Sequence, residues 1–342
     1  MIRIGVIGYG YWGPNMVRNF SEAPGSQVVM VSDLRPQRLS LVQSRYPAIS
    51  VTTNASELIK ASNVDAVVIA SPVISHFQLA MEALQAGKHV VVEKPLTSTS
   101  SQAQSLIDEA ARQRRVLMVD HTYVYTGAVR KIYDLTVTGE LGNLYYYDSV
   151  RVNLGLFQHD VSVLWDLAVH DVAIMDYIIP FKPQAVSATG ISHVPGSPED
   201  VAYLTLFFDN NLIAHIHVNW LAPVKIRRTL IGGSQKMIVY DDLEPSEKIK
   251  VYDKGINVPE QPDNVYQILI GYRIGDMWAP NLDTTEALNT EALHFLHCIE
   301  QDEKPITDGY AGLQVVKILE AATLSLKEKG QPIQLGAKGA TP

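Results

Sequence analysis

Residues 2–13 read IRIGVIGYGYWG, an apolar run followed by glycines at positions 8, 10 and 13. The run predicts a β-strand and the residues after Gly13 predict a helix, so the glycines form a GxGxxG turn between the two. In such a turn Gly8 permits the tight bend, Gly10 lets the backbone approach a pyrophosphate, and Gly13 allows the helix to pack closely. The next predicted strand ends at Asp33, 20 residues beyond Gly13, where a carboxylate bonds the adenosine ribose of a dinucleotide. The stretch therefore predicts a dinucleotide-binding turn.

Around this turn, residues 1–121 alternate short β-branched runs with helical stretches. That alternation is typical of an α/β fold in which helices cover both faces of a parallel sheet. A helix over 99–113 is predicted to begin with a capping box, because Thr99 is followed three residues later by Gln102. We expect a doubly wound parallel sheet whose strands are residues 2–7, 28–33, 50–53, 64–70, 89–93 and 116–121.

After residue 122 the pattern changes, because strands follow one another without helices long enough to serve as parallel crossovers. A large antiparallel sheet is expected, with a hairpin turn at the Asp-Asn-Asn of residues 209–211. Helices are predicted over 161–179, 285–300 and 309–328. The predicted strands are residues 144–152, 185–193, 202–208, 212–220, 224–231 and 236–240. The chain thus divides into a dinucleotide-binding domain, 1–121, and a second α/β domain, 122–308.

Composition excludes several classes of protein. The 342 residues include 28 basic and 36 acidic side chains, a net charge of -8 that disfavours a nucleic-acid binder. No apolar run reaches the length of a membrane span, and no basic leader opens the sequence, so neither insertion nor secretion is expected. The single Cys298 excludes a disulfide framework and fits a reducing compartment, so the cytoplasm is the expected location.

The charge of Asp33 also bears on the choice of dinucleotide. A carboxylate bonds a free ribose 2′-hydroxyl but repels a 2′-phosphate, by about 4 kcal/mol at 4 Å and an effective dielectric of 20. NAD is therefore expected rather than NADP. Arg35 and Arg38 lie nearby in the sequence and offset part of that repulsion, unless they are simply solvated surface residues.

Two further groups of residues suggest chemistry. Glu93, Lys94 and Pro95 end the fifth predicted strand, which places Lys94 at the carboxyl edge of the sheet where ligands of such folds bind. In the helix over 161–179, Asp166 and His170 lie one turn apart, opposite an apolar stripe. They indicate a cleft lining in which His170 exchanges a proton. A surface lysine, a hydrogen-bonded core histidine and half of a metal site are the alternatives.

The remaining polar clusters carry weaker signals. The histidines at 215 and 217 and the group of His294, His297 and Cys298 lack a third ligand at a suitable spacing, so no metal site is predicted. A basic run ending in Arg227 and Arg228 is either a dock for substrate anions or a solvated strand end. His121 and Tyr123, at the crossing between the domains, are expected to line the cleft.

Four motifs together resemble the family of glucose–fructose oxidoreductase, inositol dehydrogenase and MocA. They are GVIGYGYWGPN at 5–15, EKP at 93–95, DLAVHD at 166–171 and TDGYAGLQVVKILEAA at 307–322. The resemblance covers nearly the whole chain. It implies a Rossmann domain, a second domain whose open antiparallel sheet forms a homodimer or homotetramer, and a last helix, 309–328, that returns to the first domain.

The resemblance also implies roles for individual residues. Lys94 would bind and polarise the reacting hydroxyl, His170 would be the general acid/base, and Asp166 would hold the substrate or orient the site. The rest of the implied cofactor site is Tyr11 and Trp12 beside the pyrophosphate, Ala70, Ser71, Pro72 and His76 near the nicotinamide ribose, and Arg38, Glu93 and Pro95. The rest of the implied substrate site is Tyr123, Trp165 and Arg227.

The expected activity is hydride transfer between NAD(P) and a hydroxyl-bearing carbon of a sugar, a sugar derivative or a nucleotide-linked sugar. The WDLAVHD variant at 165–171 resembles members that oxidise carbon 3 of nucleotide-linked sugars. Two alternatives remain. One is a non-enzymatic sensor that binds the dinucleotide, and the other is a glycosidase or lyase that oxidises its substrate transiently with NAD.

Overall fold

A computed structural model describes residues 1–155, 161–257 and 271–336. The chain forms two compact units. The first contains Met1–Thr126 and Thr284–Glu320, and the second contains Gly127–Asp283 and Ala321–Pro342. No helix within these described residues is long and apolar enough to cross a membrane.

The first unit is built on a six-stranded parallel sheet in the order β3-β2-β1-β4-β5-β6. All six strands are at the predicted places, and the central ones, β1, β4, β5 and β6, are short apolar runs buried between helices. The strands are β1 Ile2–Ile7, β2 Ser26–Ser32, β3 Ser50–Thr52, β4 Ala66–Ile69, β5 His89–Glu93 and β6 Leu117–Asp120. The doubly wound sheet is therefore confirmed.

Five helices connect these strands, and a 3-10 turn, Thr122–Tyr125, follows the last one. They are α1 Gly13–Glu22, α2 Pro36–Arg45, α3 Ala55–Lys60, α4 Val73–Gln85 and α5 Ser100–Gln113. The predicted cap of α5 is present, since the Thr99 hydroxyl accepts a hydrogen bond from the Gln102 N–H at 3.2 Å.

The second unit contains a nine-stranded sheet in the order β16-β13-β12-β11-β7-β10-β9-β8-β17 and a separate β14-β15 pair. Its helices are α6 Gly127–Val137, a π-helical turn Leu164–Ala168, and α7 Val169–Ile178. The strands are β7 Leu144–Leu154, β8 Ala185–Ile191, β9 Val201–Phe207, β10 Ile213–Asn219, β11 Leu221–Gly233, β12 Met237–Asp241, β13 Ile249–Tyr252, β14 Gly255–Asn257, β15 Gly271–Arg273, β16 Met277–Trp278 and β17 Ile333–Gln334.

The predicted antiparallel sheet is present, with one exception: β7 and β10 run parallel. The chain leaves β7 through α7 and returns through β8 and β9, so β10 reaches the edge of β7 in the same direction as β7. The predicted turn between β9 and β10 is confirmed, with Asn211 in the left-handed conformation at φ 58°. Neither α6 nor the short strands β13 to β17 were predicted.

Two helices close the chain, α8 Ala287–Gln301 and α9 Gly309–Lys327, as predicted. In the first unit, α8 packs on α1 through an edge-to-face contact of Phe295 with Phe20, whose ring centroids lie 6.1 Å apart. The first part of α9 lies close to β6, where a Cβ on Gly312 would meet Val119 at 2.6 Å. Phe295 of α8 and Leu313 of α9 thus lie in the hydrophobic core of the first unit.

Candidate active site

The glycine turn is shaped by two close backbone approaches. Gly8 has φ +94°, and a Cβ there would collide with the Ala70 carbonyl oxygen. A Cβ on Gly13 would collide with the Gly8 carbonyl oxygen. The Gly8 N–H donates to the Ser32 carbonyl at 2.7 Å, which ties the turn to the end of β2. Gly8 and Gly13 are therefore fixed by the packing of the protein itself.

Gly10 differs from these two glycines. The nearest atom to a Cβ built there is the Arg35 Nη2, at 3.6 Å, which is an ordinary contact. The protein's own packing leaves space above Gly10 for another molecule. Helix α1 begins directly beyond it with a proline in its first turn and no side-chain cap from Trp12. An open glycine before an uncapped helix N-terminus fits a dinucleotide pyrophosphate.

Asp33 lies at the end of β2, beside this turn, and is 6% exposed. Its Oδ2 accepts the Tyr9 N–H at 2.8 Å, and its Oδ1 accepts Nε of Arg35 at 3.0 Å. Burial opposes ionisation of Asp33, but the hydrogen bonds from Arg35 and Tyr9 prevail and lower its pKa. Asp33 is therefore an ionised acceptor at the predicted ribose position. The Arg38 side chain is half-buried in α2.

Of the two aromatic residues in the turn, Tyr11 is 91% exposed, whereas Trp12 is anchored. The Trp12 indole N–H donates to Oδ2 of Asp120, and the Thr122 hydroxyl donates to Oδ1 of the same carboxylate. Asp120 ends β6 and is buried. The glycine turn is thus connected directly to the carboxyl end of β6.

A second buried carboxyl group faces Asp120. Glu291, on α8, is 2% exposed, and neither of its oxygens accepts a hydrogen bond from a donor within the described residues. Burial raises the pKa of Asp120, and burial together with the neighbouring Asp120 raises that of Glu291 well above its usual range. Two buried carboxyl groups in contact retain a proton between them. The raised pKa values favour a proton shared by this pair, a feature that the sequence analysis missed.

Lys94 follows β5 at the same sheet edge, as predicted. Burial, and to a lesser extent the Lys94 ammonium charge, lower the pKa of His76 and His121, and the same charge partly opposes the effect of burial on the pKa of Asp120. His76 is fully buried, with Nδ1 2.9 Å from the Pro95 carbonyl oxygen and Nε2 2.7 Å from that of Ser71. A neutral imidazole carries one N–H and so donates to one of these carbonyls. His76 joins the segment after β4 to the one after β5.

The second unit contains the other predicted catalytic residues. Asp166 lies in the π-helical turn, where its Oδ2 accepts the Trp220 indole N–H at 3.0 Å. Trp165 in the same turn donates its indole N–H to the Thr323 hydroxyl at 3.0 Å. His170 follows in the first turn of α7 and is half-buried. Single π-helical turns occur frequently at functional sites, and this one starts the DLAVHD motif.

The last residue of that motif has a structural anchor. Asp171 and Arg151, each with a 3% exposed side chain, form an ion pair at 2.6 Å. The Ser149 hydroxyl donates to Asp171 Oδ1 at 2.7 Å. The pair attaches α7 to the middle of the sheet, directly beside His170. Sequence analysis did not assign Arg151 a role, because an isolated arginine in a strand carries no signal of its partner.

Other predicted residues have partners of their own. Arg227 forms an ion pair with Asp242 at 3.1 Å, so its charge is already compensated. Tyr123 is half-buried in the 3-10 turn. His294 Nε2 accepts the Ile306 N–H at 2.9 Å, and His217 stacks on Tyr203 at 4.4 Å between ring centroids. No group of three or more His, Cys, Asp or Glu side chains suited to a metal occurs in the described part of the chain.

Comparison with known proteins identifies both parts of the chain. The profile of the "Oxidoreductase family, NAD-binding Rossmann fold" matches residues 2–121, and that of the "GFO/IDH/MocA C-terminal domain" matches residues 129–239. The uncharacterized oxidoreductase YdgJ of Escherichia coli (strain K12) is 30% identical over 263 residues, which cover 72% of this chain and 73% of YdgJ.

Two further proteins are informative. The UDP-N-acetylglucosamine 3-dehydrogenase of Acidithiobacillus ferrooxidans is 27% identical over 92% of this chain and 94% of its own. Among solved structures, levoglucosan dehydrogenase in complex with NADH and levoglucosan is similar with a TM-score of 0.80 at 20% identity, covering 98% of this chain and 100% of that one. At that identity the likeness is one of fold.

Proposed function

Because the chain belongs to the GFO/IDH/MocA family of NAD-binding oxidoreductases, we propose that it oxidises a hydroxyl-bearing carbon of a nucleotide-linked sugar, or reduces the corresponding ketone. The observation that carries the proposal is the position of Lys94. It lies at the carboxyl edge of the sheet that also forms the glycine turn, where doubly wound folds bind their ligands.

The residues of the first unit fit NAD. Gly8, Gly10 and Gly13 with the start of α1 would hold the pyrophosphate, and Asp33 would accept hydrogen bonds from the adenosine ribose. When bound, NAD supplies the acceptor for a hydride. The ionised Asp33 favours the free 2′-hydroxyl of NAD over the 2′-phosphate of NADP.

In this proposal three side chains handle the proton and charge of the substrate. The Lys94 ammonium donates a hydrogen bond to the reacting oxygen and stabilises the alkoxide that develops as the hydride leaves. His170 takes the hydroxyl proton during oxidation and returns it during reduction. Asp166, held by Trp220, positions the substrate. A fixed donor such as Lys94 is typically worth about 3 kcal/mol of the barrier.

The choice of substrate class rests on two supports. The WDLAVHD sequence at 165–171 resembles that of members that oxidise carbon 3 of nucleotide-linked sugars. The relative from Acidithiobacillus ferrooxidans, aligned over most of both chains, is a UDP-N-acetylglucosamine 3-dehydrogenase. Both favour oxidation at carbon 3 of a nucleotide-linked sugar. Because Arg227 is paired with Asp242, binding a substrate phosphate there would require exchange of that partner.

A substrate screen tests the proposal. The purified protein is incubated with NAD or NADP and with nucleotide-linked sugars, free sugars or free inositols, and NADH formation is followed by absorbance. The proposal predicts net NADH with NAD and nucleotide-linked sugars. Activity on free inositols alone would overturn the substrate class. Product formation without net NADH would indicate a transient oxidation, and NAD binding without turnover of any substrate would indicate a sensor.

We propose that the open face of the large sheet joins two or four copies of the chain. Tyr203 on β9 and Ile213 on β10 are 42% and 46% exposed, and Phe207, which pairs with Ile213 across the strands, is 38% exposed. An apolar face of this kind favours self-association. Light scattering of the full chain is expected to give a dimer or tetramer, and a Phe207→Asp/Ile213→Asp variant a smaller species. A wild-type monomer would contradict this.

A cytoplasmic location is also proposed. It is supported by Cys298, the one cysteine in the sequence, which is buried as a free thiol. Fractionation of the source cells tests it, and recovery of the protein outside the cytoplasmic fraction would contradict it.

A further inference from the structure

The middle of the glycine turn is held in place by the side chain of one residue. Gly8 and Gly13 are fixed by close backbone approaches within the protein, whereas Gly10 has open space above it. Tyr11 is 91% exposed. Trp12, in contrast, packs its ring against the hydrophobic core of the first unit. The conformation of the segment between the two fixed glycines therefore depends on how Trp12 is held.

This segment leads directly into α1, whose first N–H groups have no partner within the helix. Trp12 is the residue before the helix, and its side chain does not cap those groups. Its carbonyl oxygen accepts the Asn15 N–H at 2.9 Å, so the backbone of Trp12 takes part in the first turn of α1. In the proposed cofactor site the N–H groups of that turn face the pyrophosphate. A displacement of Trp12 would therefore move the groups that bind the pyrophosphate.

The Trp12 indole is held by a buried carboxyl group from a distant part of the sequence. Oδ2 of Asp120 accepts the indole N–H, and Oδ1 of Asp120 accepts the Thr122 hydroxyl. Asp120 is 2% exposed, as is Glu291, the other member of the acid pair. Burial of carboxyl groups costs free energy that an apolar side chain at the end of β6 would not cost. Packing alone therefore does not explain Asp120, whereas the need for a fixed acceptor beside Trp12 does.

We infer that Asp120 is a positioning residue for the cofactor, which holds the Trp12 indole and thereby fixes the start of α1 in the conformation that binds the pyrophosphate. The inference rests on the NAD binding described under the proposed function, and it concerns only residues of the first unit. Asp120 acts through Trp12 rather than by contact with NAD. No motif in the sequence marks this role, because the two residues are 108 positions apart.

A double-mutant cycle in the full-length protein tests the coupling between the two residues. Trp12→Phe keeps an aromatic ring in the core and removes the indole donor, and Asp120→Leu removes the acceptor. In calorimetric titration with NAD, each single variant is expected to bind about five- to tenfold more weakly than the wild type, the value of about one hydrogen bond. The double variant is expected to bind NAD within about twofold of Trp12→Phe, because the same hydrogen bond is already absent there.

Two other variants and a second ligand separate positioning from a general loss of structure. Asp120→Asn keeps an oxygen acceptor for the Trp12 indole and is expected to recover most of the NAD affinity. ADP-ribose, which carries the pyrophosphate but lacks nicotinamide, is expected to show the same losses as NAD, because the effect acts at the pyrophosphate. Trp278→Phe changes a tryptophan on β16 of the second unit and is expected to change neither affinity.

Three results would overturn the inference. They are unchanged NAD affinity in Trp12→Phe, additive losses in the double variant, which would mean that Asp120 affects NAD by another route, and losses for NAD without losses for ADP-ribose. If Asp120→Leu does not fold, Asp120→Ala takes its place in the cycle, with the same expectations. A wild-type protein that binds neither NAD nor NADP would instead refute the proposed cofactor site itself.

Discussion

The buried acid pair of the first unit leads to a quantitative prediction about pH. Glu291 is enclosed on α8, and the groups that affect it are Asp120, Thr122 and Glu93. Its pKa is raised well above the ordinary value of 4.5. The folded protein therefore keeps a proton that the unfolded chain releases above about pH 4.5. The free energy of unfolding that this bound proton contributes is fully present below that pH, and it is lost as the pH rises toward the pKa of Glu291 in the folded protein.

The substitution Glu291→Gln removes the titration and keeps a donor toward Asp120. Groups outside the pair titrate alike in both proteins, so the difference between them isolates the Asp120–Glu291 pair. As the pH rises, the free energy of unfolding of Glu291→Gln is expected to increase relative to that of the wild type by about 1.4 kcal/mol per pH unit. Between about pH 5 and about pH 8 the gain reaches up to about 4 kcal/mol while the proton remains bound.

Urea unfolding of both proteins at several pH values provides the assay. The matched control is Glu300→Gln, which changes an exposed carboxyl group on the same helix and is expected to give a difference that is independent of pH. If the difference between Glu291→Gln and the wild type were equally flat, the buried pair would not hold the proton, and the interpretation would be refuted.

Three further predictions concern other parts of the structure. Gly13→Ala places a methyl group against the Gly8 carbonyl oxygen. It is expected to lower the free energy of unfolding by about 1–3 kcal/mol and to impair NAD binding. The control is Gly336→Ala, where an added methyl group meets nothing within 4 Å, and equal effects of the two substitutions would contradict the prediction. Asp33→Ser removes the charge that repels a 2′-phosphate and releases Arg35 from its partner. The ratio of NADP affinity to NAD affinity, measured by titration, is therefore expected to rise by at least about tenfold. An unchanged ratio would exclude Asp33 as the group that selects NAD over NADP. Arg151→Met leaves a buried carboxylate uncompensated and is expected to cost about 3–5 kcal/mol of unfolding free energy; a loss below about 1 kcal/mol would mean that the pair does not anchor α7.

Local patterns predicted much of the first unit. The spacing of Gly8, Gly10 and Gly13, the strand ending at Asp33 and the cap at Thr99 depend on neighbouring residues, so the sequence carries them directly. The position of Lys94 at the end of β5 was predicted for the same reason, because Pro95 stops the strand there and parallel strands all end at the carboxyl edge of the sheet.

Contacts between distant segments could not be predicted in this way. Glu291 and Asp120 meet only after α8 packs beside the sheet, and a glutamate in a helix ordinarily indicates a solvated face. Arg151 and Asp171 are brought together by the return of α7 over β7. The parallel pairing of β7 with β10 depends on the path of the whole chain rather than on either strand.

The role of Lys94 in hydride transfer is tested most directly by measuring turnover and NAD affinity in the same Lys94→Ala preparation. Lys60→Ala, which changes a lysine with a 73% exposed side chain in the same unit, is the matched control. The expected result is a loss of turnover of at least about a hundredfold in Lys94→Ala, with NAD affinity close to that of the wild type and the control fully active. Turnover retained in Lys94→Ala would contradict the proposed chemistry.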